Sequence, residues 1–339
     1  MDSCGARANI SVVITVRNDR TATGQTLDAL IGQTRPPDEV IVVDGGSADG
    51  TVELLRQFEK KESRVKLIEA PGVNIAAGRN IGVREAIGEI IATTDAGCVL
   101  APNWLEELTN PFRSDPSVEF VAGFYKVEGK TLLERVVGLS TMRGQLEAVD
   151  PKKFNPSARS MAFTKEAWRR AGGFPEWIRY SEDTLFDRKM RAIRVEWRFA
   201  PEAVVLWRPR SSLRSIARQF YNYGTGRGHT QIDAESFRFN LRNAALTMAS
   251  LCACLFTPWA ILSTMFFLFY FYVVAFHAKS MRVAQRLNRG VAYPVCLVVM
   301  WVVVASNTAG FVVGTFQRVT DDERYRKRMA GYLAVPYAS

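Results

Sequence analysis

The first hundred residues alternate between short apolar runs and segments with helical periodicity. Buried strands are predicted over 10–16, 39–44, 65–69 and 89–94, where β-branched side chains cluster. Apolar positions three and four residues apart predict helices over 25–33, 51–61 and 76–86, between those strands. Strands and helices that alternate at this spacing predict an α/β fold in which a mostly parallel sheet carries helices on both faces.

The middle of the chain has a less regular pattern. Helices are predicted over 103–112, 164–171 and 182–193, and strands over 119–127 and 196–205. Residues 211–223 also have helical spacing, with arginines on one face and an apolar face made of Leu213, Ile216, Ala217 and Phe220. That pattern is typical of a helix lying along a membrane surface.

Two long tracts without charged residues dominate the last third of the chain, at 244–276 and 291–317. Each exceeds the roughly 20 residues that a helix needs to cross a bilayer, so C-terminal transmembrane helices are predicted. The first tract is either one strongly tilted helix or, because Pro258 and Trp259 interrupt it, a tight helical hairpin. We therefore expect two or three membrane segments.

The basic residues indicate how such a protein would be oriented. The net charge is +10, and arginines and lysines flank both apolar tracts. Basic flanks on the inner side predict a multi-pass protein of the cell membrane that contacts anionic lipid and has its soluble domain in the cytoplasm. The first ten residues contain no apolar core of a secretory signal, and we expect none. No basic and aromatic recognition motif is present, so a nucleic-acid partner is not predicted.

Carboxylates are the candidate chemical groups, because the chain has only two histidines and five cysteines without metal-type spacing. Asp44 and Asp95 each end a predicted strand. Parallel strands end at one edge of a sheet, which is where ligands bind in such folds. A buried strand-end carboxylate also needs a partner, which makes Asp95 in the sequence TTDAGC a candidate for binding a cation.

Four motifs, in order along the chain, resemble those of the family 2 glycosyltransferases of GT-A fold. They are QTRPPDEVIVVDGGSADGT at 33–51, GRNIGVREAIGEIIATTDAG at 78–97, GGF at 172–174 and the acidic pair at 182–183. The resemblance covers about residues 10–225. It implies a Rossmann-like GT-A catalytic domain over 1–210. An interface helix and linker over 211–243, membrane segments over 244–317 and a basic tail over 318–339 complete the predicted organisation.

On the donor side, the resemblance implies that Asp44 reads the base or ribose and that Arg79 stacks on the base or pairs with phosphate. Asp95 matches the first aspartate of the DxD element, and Thr15 is assigned to the same donor-binding group. The alternatives are a turn aspartate for Asp44 and an ordinary surface arginine for Arg79. Asp49 is interpreted as a structural turn residue.

The metal prediction is affected by Gly97, which stands where the family has its second aspartate. The resemblance implies Mg²⁺ or Mn²⁺ at Asp95, with diphosphate oxygens and water completing the coordination. A metal-free site in which arginines replace the cation is the alternative. Cys98 is interpreted as a core residue because its sulfur is a soft ligand.

On the acceptor side, Asp183 matches the catalytic base of an inverting single displacement, and Glu182 would shape the site or contact the acceptor. An acidic pair that only stabilises a helix N-terminus is the alternative. Gln219, Tyr223 and Arg227 are possible contacts to acceptor or diphosphate. The polymer-synthase motif Q-x-x-R-W is incomplete here, which favours a single sugar transfer over chain synthesis.

The sequence thus predicts a membrane-anchored inverting glycosyltransferase that takes its sugar from a UDP- or GDP-type donor. Its acceptor would be a lipid-linked molecule or glycan at the membrane, as in cell-envelope glycan synthesis. A polyprenyl-phosphate sugar synthase is the nearest alternative, and a nucleotide-binding membrane scaffold without activity is another. A dinucleotide-dependent oxidoreductase is disfavoured because no G-x-G-x-x-G motif follows the first strand.

Overall fold

The structure is a computed structural model that describes residues 8–334, except for 143, 147, 148, 152 and 153. The chain divides into two compact units. The first contains Met1–Lys126, Asp150–Trp207 and Arg328–Ser339, and the second contains Val127–Val149 and Arg208–Lys327. The predicted domain boundary near 210 lies close to the junction at 207, but the segment 127–149 belongs to the second unit.

The first unit is an α/β domain whose elements follow the predicted alternation. Its strands are β1 (Ile10–Val16), β2 (Glu39–Asp44), β3 (Val65–Glu69), β4 (Ile90–Asp95), β5 (Val99–Leu100), β6 (Val118–Val127), β7 (Met161–Thr164) and β8 (Glu196–Trp207). Its helices are α1 (Arg20–Ile31), α2 (Thr51–Lys61), α3 (Ile75–Glu85), α4 (Trp104–Ser114), α6 (Lys165–Ala171), α7 (Glu182–Ala192) and α13 (Arg328–Ala334).

The eight strands form one mixed sheet in the order β3-β2-β1-β4-β7-β6-β8-β5. β1 pairs in parallel with β2 and β4, and β2 pairs in parallel with β3. β7 runs antiparallel to both β4 and β6, and β5 runs antiparallel to β8. The mostly parallel half therefore agrees with the prediction, while the short strand β7 was not predicted.

The centre of the sheet is buried on both faces, as its continuous apolar strands require. Val12, Val13 and Ile14 of β1 are almost inaccessible to solvent. Helix α3 packs closely on this strand because Gly82 has no side chain, and a Cβ at that position would overlap the side chain of Val13. This packing holds α3 against β1.

The second unit is helical and contains α5 (Leu132–Thr141), α8 (Leu213–Thr230), α9 (Ala234–Ala253), α10 (Ala260–Phe269), α11 (Ala275–Leu287) and α12 (Ala292–Thr320). A π-helical turn, Tyr270–Val274, joins α10 to α11, and a second one, Glu323–Lys327, follows α12. Ile216 and Phe220, on the face of α8 that the sequence assigned to a membrane surface, are buried in an apolar cluster with side chains of α5 and α12.

Helices α8 and α12 approach each other through glycines on both sides. Gly224 and Gly228 of α8 face the backbone of α12, and Gly310 and Gly314 of α12 face the backbone of α8. Any Cβ at these positions would overlap a backbone atom of the other helix. Glycines four residues apart allow such close approach, and the arrangement is common between helices in membranes.

The predicted interruption of the first apolar tract is present. Helix α9 ends at Ala253, α10 begins at Ala260, and Ser250 forms a hydroxyl hydrogen bond with Thr264 across the pair at 2.9 Å. In the part of the chain that the structure describes, one helix, Ala292–Thr320, is long and apolar enough to cross a bilayer. The multi-pass prediction is not supported, because the break divides the first tract into helices that fail this criterion.

Candidate active site at the carboxyl edge of the sheet

The site-forming edge lies where the parallel strands β1, β2 and β4 end. In the sheet register, Thr15 is opposite Asp95 and Val16 is opposite Asp44. Two strand spacings of about 4.8 Å separate the strand carrying Asp44 from that carrying Asp95, so the two backbones lie about 10 Å apart. The predicted donor-side residues Thr15, Asp44 and Asp95 therefore share one edge, as expected for a parallel sheet.

Asp44 is buried, and its carboxylate accepts hydrogen bonds from the turn that follows β2. The backbone N–H groups of Gly46 and Ser47 donate to Oδ1 at 2.8 Å, and the Ser47 hydroxyl donates to Oδ2 at 2.5 Å. The turn role weighed for Asp44 is thus observed. An ionised carboxylate can accept about four hydrogen bonds, so these three leave room for one more.

Asp49 has the structural role that its turn sequence predicted. Its carboxylate accepts from the N–H and hydroxyl of Thr51 and from the N–H of Arg20. The side-chain hydrogen bond from Thr51 is the main cause that lowers the pKa of Asp49. The residue that caps α2 is Gly50, whose φ of +87° is in the left-handed region, so Asp49 stabilises the turn rather than capping the helix itself.

Arg79 is the central cation of the site and is only 3% exposed. Its Nη1 donates to Glu182 Oε1 at 2.8 Å, and its Nη2 donates to Asp95 Oδ1 at 2.9 Å. The guanidinium also lies over the ring of Phe174, 5.5 Å from the centroid. The alternative of an ordinary surface arginine is wrong, because Arg79 joins the strand-end aspartate to the acidic pair.

The acidic pair opens helix α7. Glu182 is buried, whereas Asp183 is half-buried and accepts from the backbone N–H of Thr184 at 2.7 Å. The preceding residue, Ser181, has a φ of +67°, which a residue other than glycine rarely adopts. Strained residues of this kind cluster at active sites and ligand-binding sites. Here Ser181 turns the chain so that α7 begins with its acids beside Arg79.

The charges around Glu182 change its ionisation. Burial and the neighbouring carboxylate of Asp183 raise the pKa of Glu182 to about 7, although Arg79 opposes this shift. For Arg79 itself, burial acts to lower the pKa, but Asp95, Glu182 and Asp183 outweigh it, and the pKa is raised. Arg79 therefore stays cationic, while Glu182 titrates near neutral pH. Perturbed acids of this kind are frequent in active sites.

Gly97 belongs to a tight turn after β4. The backbone N–H of Cys98 donates to the Asp95 carbonyl at 3.2 Å, and Gly97 has a φ of +87°. These values are those of a type II turn, which requires a positive φ at its third residue. Burial and the charge of Asp95 raise the pKa of Cys98 to about 12, so this buried thiol is a core residue as predicted.

The described residues do not fit a divalent cation held by the protein. Asp95 is the one carboxylate contributed by its turn, and its two oxygens already face Arg79 and Arg159. No group of three or more potential ligands among histidine, cysteine, aspartate and glutamate occurs in the described part of the chain. Hard cations need several oxygen ligands, so this turn alone does not form a metal site.

Arg159 is a residue of the site that the sequence interpretation missed. Its Nε lies 3.8 Å from Asp95 Oδ2, and its guanidinium stands over the rings of Trp207 and Tyr125, at 5.0 and 5.9 Å from their centroids. The side chain is 16% exposed. No local sequence motif identifies Arg159 as a site residue. It reaches the site through the strand order, because β7 pairs antiparallel with β4 and brings the turn before β7 to Asp95.

The three predicted acceptor-side residues belong to helix α8 of the second unit. Gln219 Nε2 donates to the Tyr223 hydroxyl at 3.1 Å, and Tyr223 packs on Phe220 in the apolar cluster of that unit. Arg227 is half-buried on the same helix. Gln219 and Tyr223 therefore contribute to packing within the second unit, and their contact with acceptor or diphosphate stays a prediction.

Comparison with known proteins gives the family that this chain resembles. The family described as Glycosyl transferase family 2 matches residues 11–169. Glycosyltransferase AglE of Haloferax volcanii is 28% identical over 229 residues, which are 66% of this chain and 73% of the relative. Residues 11–169 therefore form a domain similar to the family 2 glycosyltransferases, the fold is of GT-A type, and the protein is a transferase enzyme.

Two solved structures share the fold. The mannosyltransferase PcManGT of Pyrobaculum calidifontis, in complex with GDP-Man and Mn²⁺, has a TM-score of 0.52 at 19% identity and covers 97% of this chain and 86% of its own. GalNAc-T7, solved with UDP, GalNAc and Mn²⁺, has a TM-score of 0.50 at 17% identity and covers 66% and 48% of the two chains. At these identities the likeness concerns the fold alone.

Proposed function

We propose that this enzyme transfers one sugar from a UDP- or GDP-type donor to a membrane-associated acceptor by an inverting displacement. The observation that carries the proposal is the bridge made by Arg79. One guanidinium binds both Asp95, at the donor edge, and Glu182, next to the proposed base Asp183. A sugar can pass from donor to acceptor only when the acid that binds the donor and the acid that activates the acceptor lie close together. Arg79 brings Asp95 and Glu182 together in this way.

On the donor side, we assign the nucleoside to the Asp44 end of the edge and the diphosphate to the Asp95 end. The backbone separation of about 10 Å is of the size that a nucleoside diphosphate spans. Asp44 retains capacity for one more hydrogen bond, which suits a ribose hydroxyl or a base N–H. The donors bound by PcManGT and GalNAc-T7 support the UDP or GDP class.

In the transfer step, Asp183 removes the proton of an acceptor hydroxyl while that oxygen forms a bond to the anomeric carbon. The bond from this carbon to the donor phosphate breaks, and its electron pair leaves with the nucleoside diphosphate. One base is sufficient for such a single displacement, which inverts the anomeric centre. Glu182 shapes the pocket through its bond to Arg79. An acceptor phosphate would attack in the same way without needing a base.

A divalent cation stays a prediction and carries no step in this proposal. The Mn²⁺ in the two solved relatives supports its use in the family. In this chain it would have Asp95 as one protein ligand and would depend on the diphosphate for others. Comparing Mn²⁺, Mg²⁺ and a chelator in the transfer assay tests that prediction directly.

The membrane association rests on helix α12, which has a mean hydropathy of 2.1 over its most apolar 18 residues. An enzyme held in the bilayer shares its plane with a lipid-linked acceptor, and this raises the effective concentration of that acceptor without any further contact. Arginines before α9, and the basic residues Lys279, Arg282 and Arg286 of α11 with Arg289 after it, would face anionic lipid headgroups.

The test is release of nucleoside diphosphate from a panel of UDP- and GDP-sugars, with the full chain in lipid nanodiscs and membrane lipid as acceptor. Asp183→Asn should lower the rate at least about 10²-fold, because general-base catalysis contributes that much. Asp28→Asn, at an exposed position on α1, is the control and should keep the parental rate. Equal rates for Asp183→Asn and the parent protein would exclude Asp183 as the base.

The same assay distinguishes the proposed transfer from the nearest alternative, in which a polyprenyl phosphate is the acceptor. A sugar linked through phosphate is released by mild acid, whereas an ordinary glycoside survives it. Recovery of free sugar after mild acid would assign the acceptor as a lipid phosphate. If no donor of the panel is consumed and none binds, the proposal of a catalytic enzyme fails as a whole and the nucleotide-binding scaffold is favoured.

A further inference from the structure

The strand pairing places Arg159 next to Asp95, so their contact is not an incidental contact between surface side chains. In the antiparallel register of β4 and β7, Thr93 pairs with Met161. Extending this register two residues beyond the start of β7 places residue 159, in the preceding turn, opposite residue 95, because antiparallel partner numbers keep a constant sum. The topology thus aims the turn before β7 at the strand-end aspartate.

The backbone around Arg159 is rigid. Both neighbours, Ala158 and Ser160, are 1% exposed. The Ser160 hydroxyl donates to the Ala203 carbonyl at 3.0 Å and accepts from Trp104 Nε1 at 2.9 Å, while its backbone N–H closes a turn onto Ser157 at 3.0 Å. A cation on so well-anchored a turn keeps its position when charge develops nearby, as electrostatic preorganisation requires.

The side chain of Arg159 is also oriented. It lies over Trp207 and Tyr125, which are contributed by β8 and β6, and its Nη1 donates to the Ser157 hydroxyl at 3.3 Å. Aromatic faces hold the guanidinium plane in one orientation. The planar fork can then bind two phosphate oxygens at once, which a lysine cannot do.

Arg159 and Arg79 contact Asp95 at different distances. The separation of 3.8 Å from Arg159 Nε to Asp95 Oδ2 is that of an ion pair and exceeds hydrogen-bond distance. By contrast, Arg79 donates to Asp95 directly at 2.9 Å and to Glu182 at 2.8 Å. Arg79 thus donates to both carboxylates at hydrogen-bond distance, whereas the contact between Arg159 and Asp95 is about 1 Å longer.

We infer that Arg159 is the cationic residue that binds the donor diphosphate and neutralises the leaving group, where Gly97 removes the second carboxylate of a metal site. The inference rests on the proposed function and identifies a catalytic residue of that site. As the bond between anomeric carbon and phosphate oxygen breaks, its electron pair moves onto the diphosphate beside the Arg159 guanidinium. The acceptor proton goes to Asp183, so charge and atoms balance.

The experiment compares Arg159→Gln and Arg159→Lys with the parent protein as full chains in nanodiscs. The first readout is sugar transfer, for which Arg159→Gln should lower the rate by about 10²- to 10³-fold. Arg159→Lys keeps the charge but loses the planar fork and should give an intermediate rate. Arg191→Gln is the matched control, since Arg191 lies over Trp197, at 4.4 Å, and pairs with Asp187 near the other end of α7.

The second readout is calorimetric binding of nucleoside diphosphate and monophosphate without metal, using UDP and UMP or GDP and GMP. The parent protein should prefer the diphosphate, and Arg159→Gln should reduce this preference about 10- to 100-fold. Monophosphate binding and the melting temperature should stay near those of the Arg191→Gln control. A structural role for Arg159 would instead weaken both ligands equally.

The outcomes distinguish this inference from the proposed function. If the parent protein transfers sugar and Arg159→Gln transfers it equally fast, the inference is overturned and the proposed function stands. If the parent protein neither turns over nor binds any donor of the panel, both are overturned. If a chelator abolishes transfer while Arg159→Gln leaves the diphosphate preference unchanged, a metal ion and not Arg159 neutralises the leaving group.

Discussion

Arg79 donates to Glu182 across a distance of 2.8 Å although the two residues are 103 positions apart in the chain. The contact connects helix α3, which packs on the parallel half of the sheet, to the first turn of α7. A second hydrogen bond of Arg79 reaches Asp95 at 2.9 Å. The two halves of the proposed reaction centre are thus held together by one buried cation, and neither can shift without breaking its bond.

Replacing Arg79 tests this connection. Arg79→Gln leaves the carboxylates of Glu182 and Asp95 without their shared cation, and loss of one partner from a buried ion pair costs about 3–5 kcal/mol. We expect the midpoint of denaturant unfolding to fall accordingly, together with a loss of nucleotide binding. Arg56→Gln removes an exposed arginine paired with Glu69 and should leave the midpoint unchanged. Equal midpoints for both variants would show that the bridge is dispensable.

The pH dependence of stability follows from Glu182. Its pKa is raised from 4.5 to about 7 by burial and by Asp183. Between these two values the native state binds a proton that the unfolded state has released, so the free energy of unfolding falls as the pH rises from about 4.5 to about 7. Glu182→Gln should remove this fall. Urea unfolding at pH 5 and pH 7.5 measures it, with Glu176→Gln, half-exposed in the same unit, as the control.

Restoring the family's second aspartate should not restore a metal site. Gly97 has a φ of +87°, and a Cβ there would lie 3.6 Å from Asp19 Oδ2. Gly97→Asp would strain the turn by about 1–2 kcal/mol and place a second negative charge beside Asp19. Gly97→Ala carries the same strain without the charge and is the control. We expect Gly97→Asp to melt below Gly97→Ala and to gain no Mn²⁺-dependent transfer; a gain of Mn²⁺ dependence would contradict this.

The shared position of Asp44 and Asp95 at one end of the sheet could be predicted from sequence because its signals are local. Asp44 and Asp95 each terminate a β-branched run, and parallel strands necessarily end at a common edge. Arg159 could not be predicted in this way. It reaches Asp95 only because β7, four residues long, pairs antiparallel with β4, and strand order is not encoded in any short segment.

The second unit shows a different limit of prediction from sequence. The arginine-bearing helix starting at Leu213 was expected to place its apolar face on a membrane, since amphipathicity alone gives no information about which surface covers that face. The glycines at 224 and 228 recur at the same spacing at 310 and 314, and this repeated spacing was the available signal for helix pairing. Recognising this spacing requires comparing two distant segments of the chain.

Close packing of helices α8 and α12 provides the last prediction. A Cβ at Gly310 would overlap the carbonyl oxygen of Tyr221, a backbone atom that cannot move away as a flexible side chain would. Gly310→Ala should therefore separate the two helices and destabilise the second unit by about 2 kcal/mol or more. Gly290→Ala, at a position with nothing within 4 Å, is the control. Thermal unfolding in detergent micelles measures the difference, and superimposable curves for the two variants would show that the glycine contact does not stabilise the helix pair.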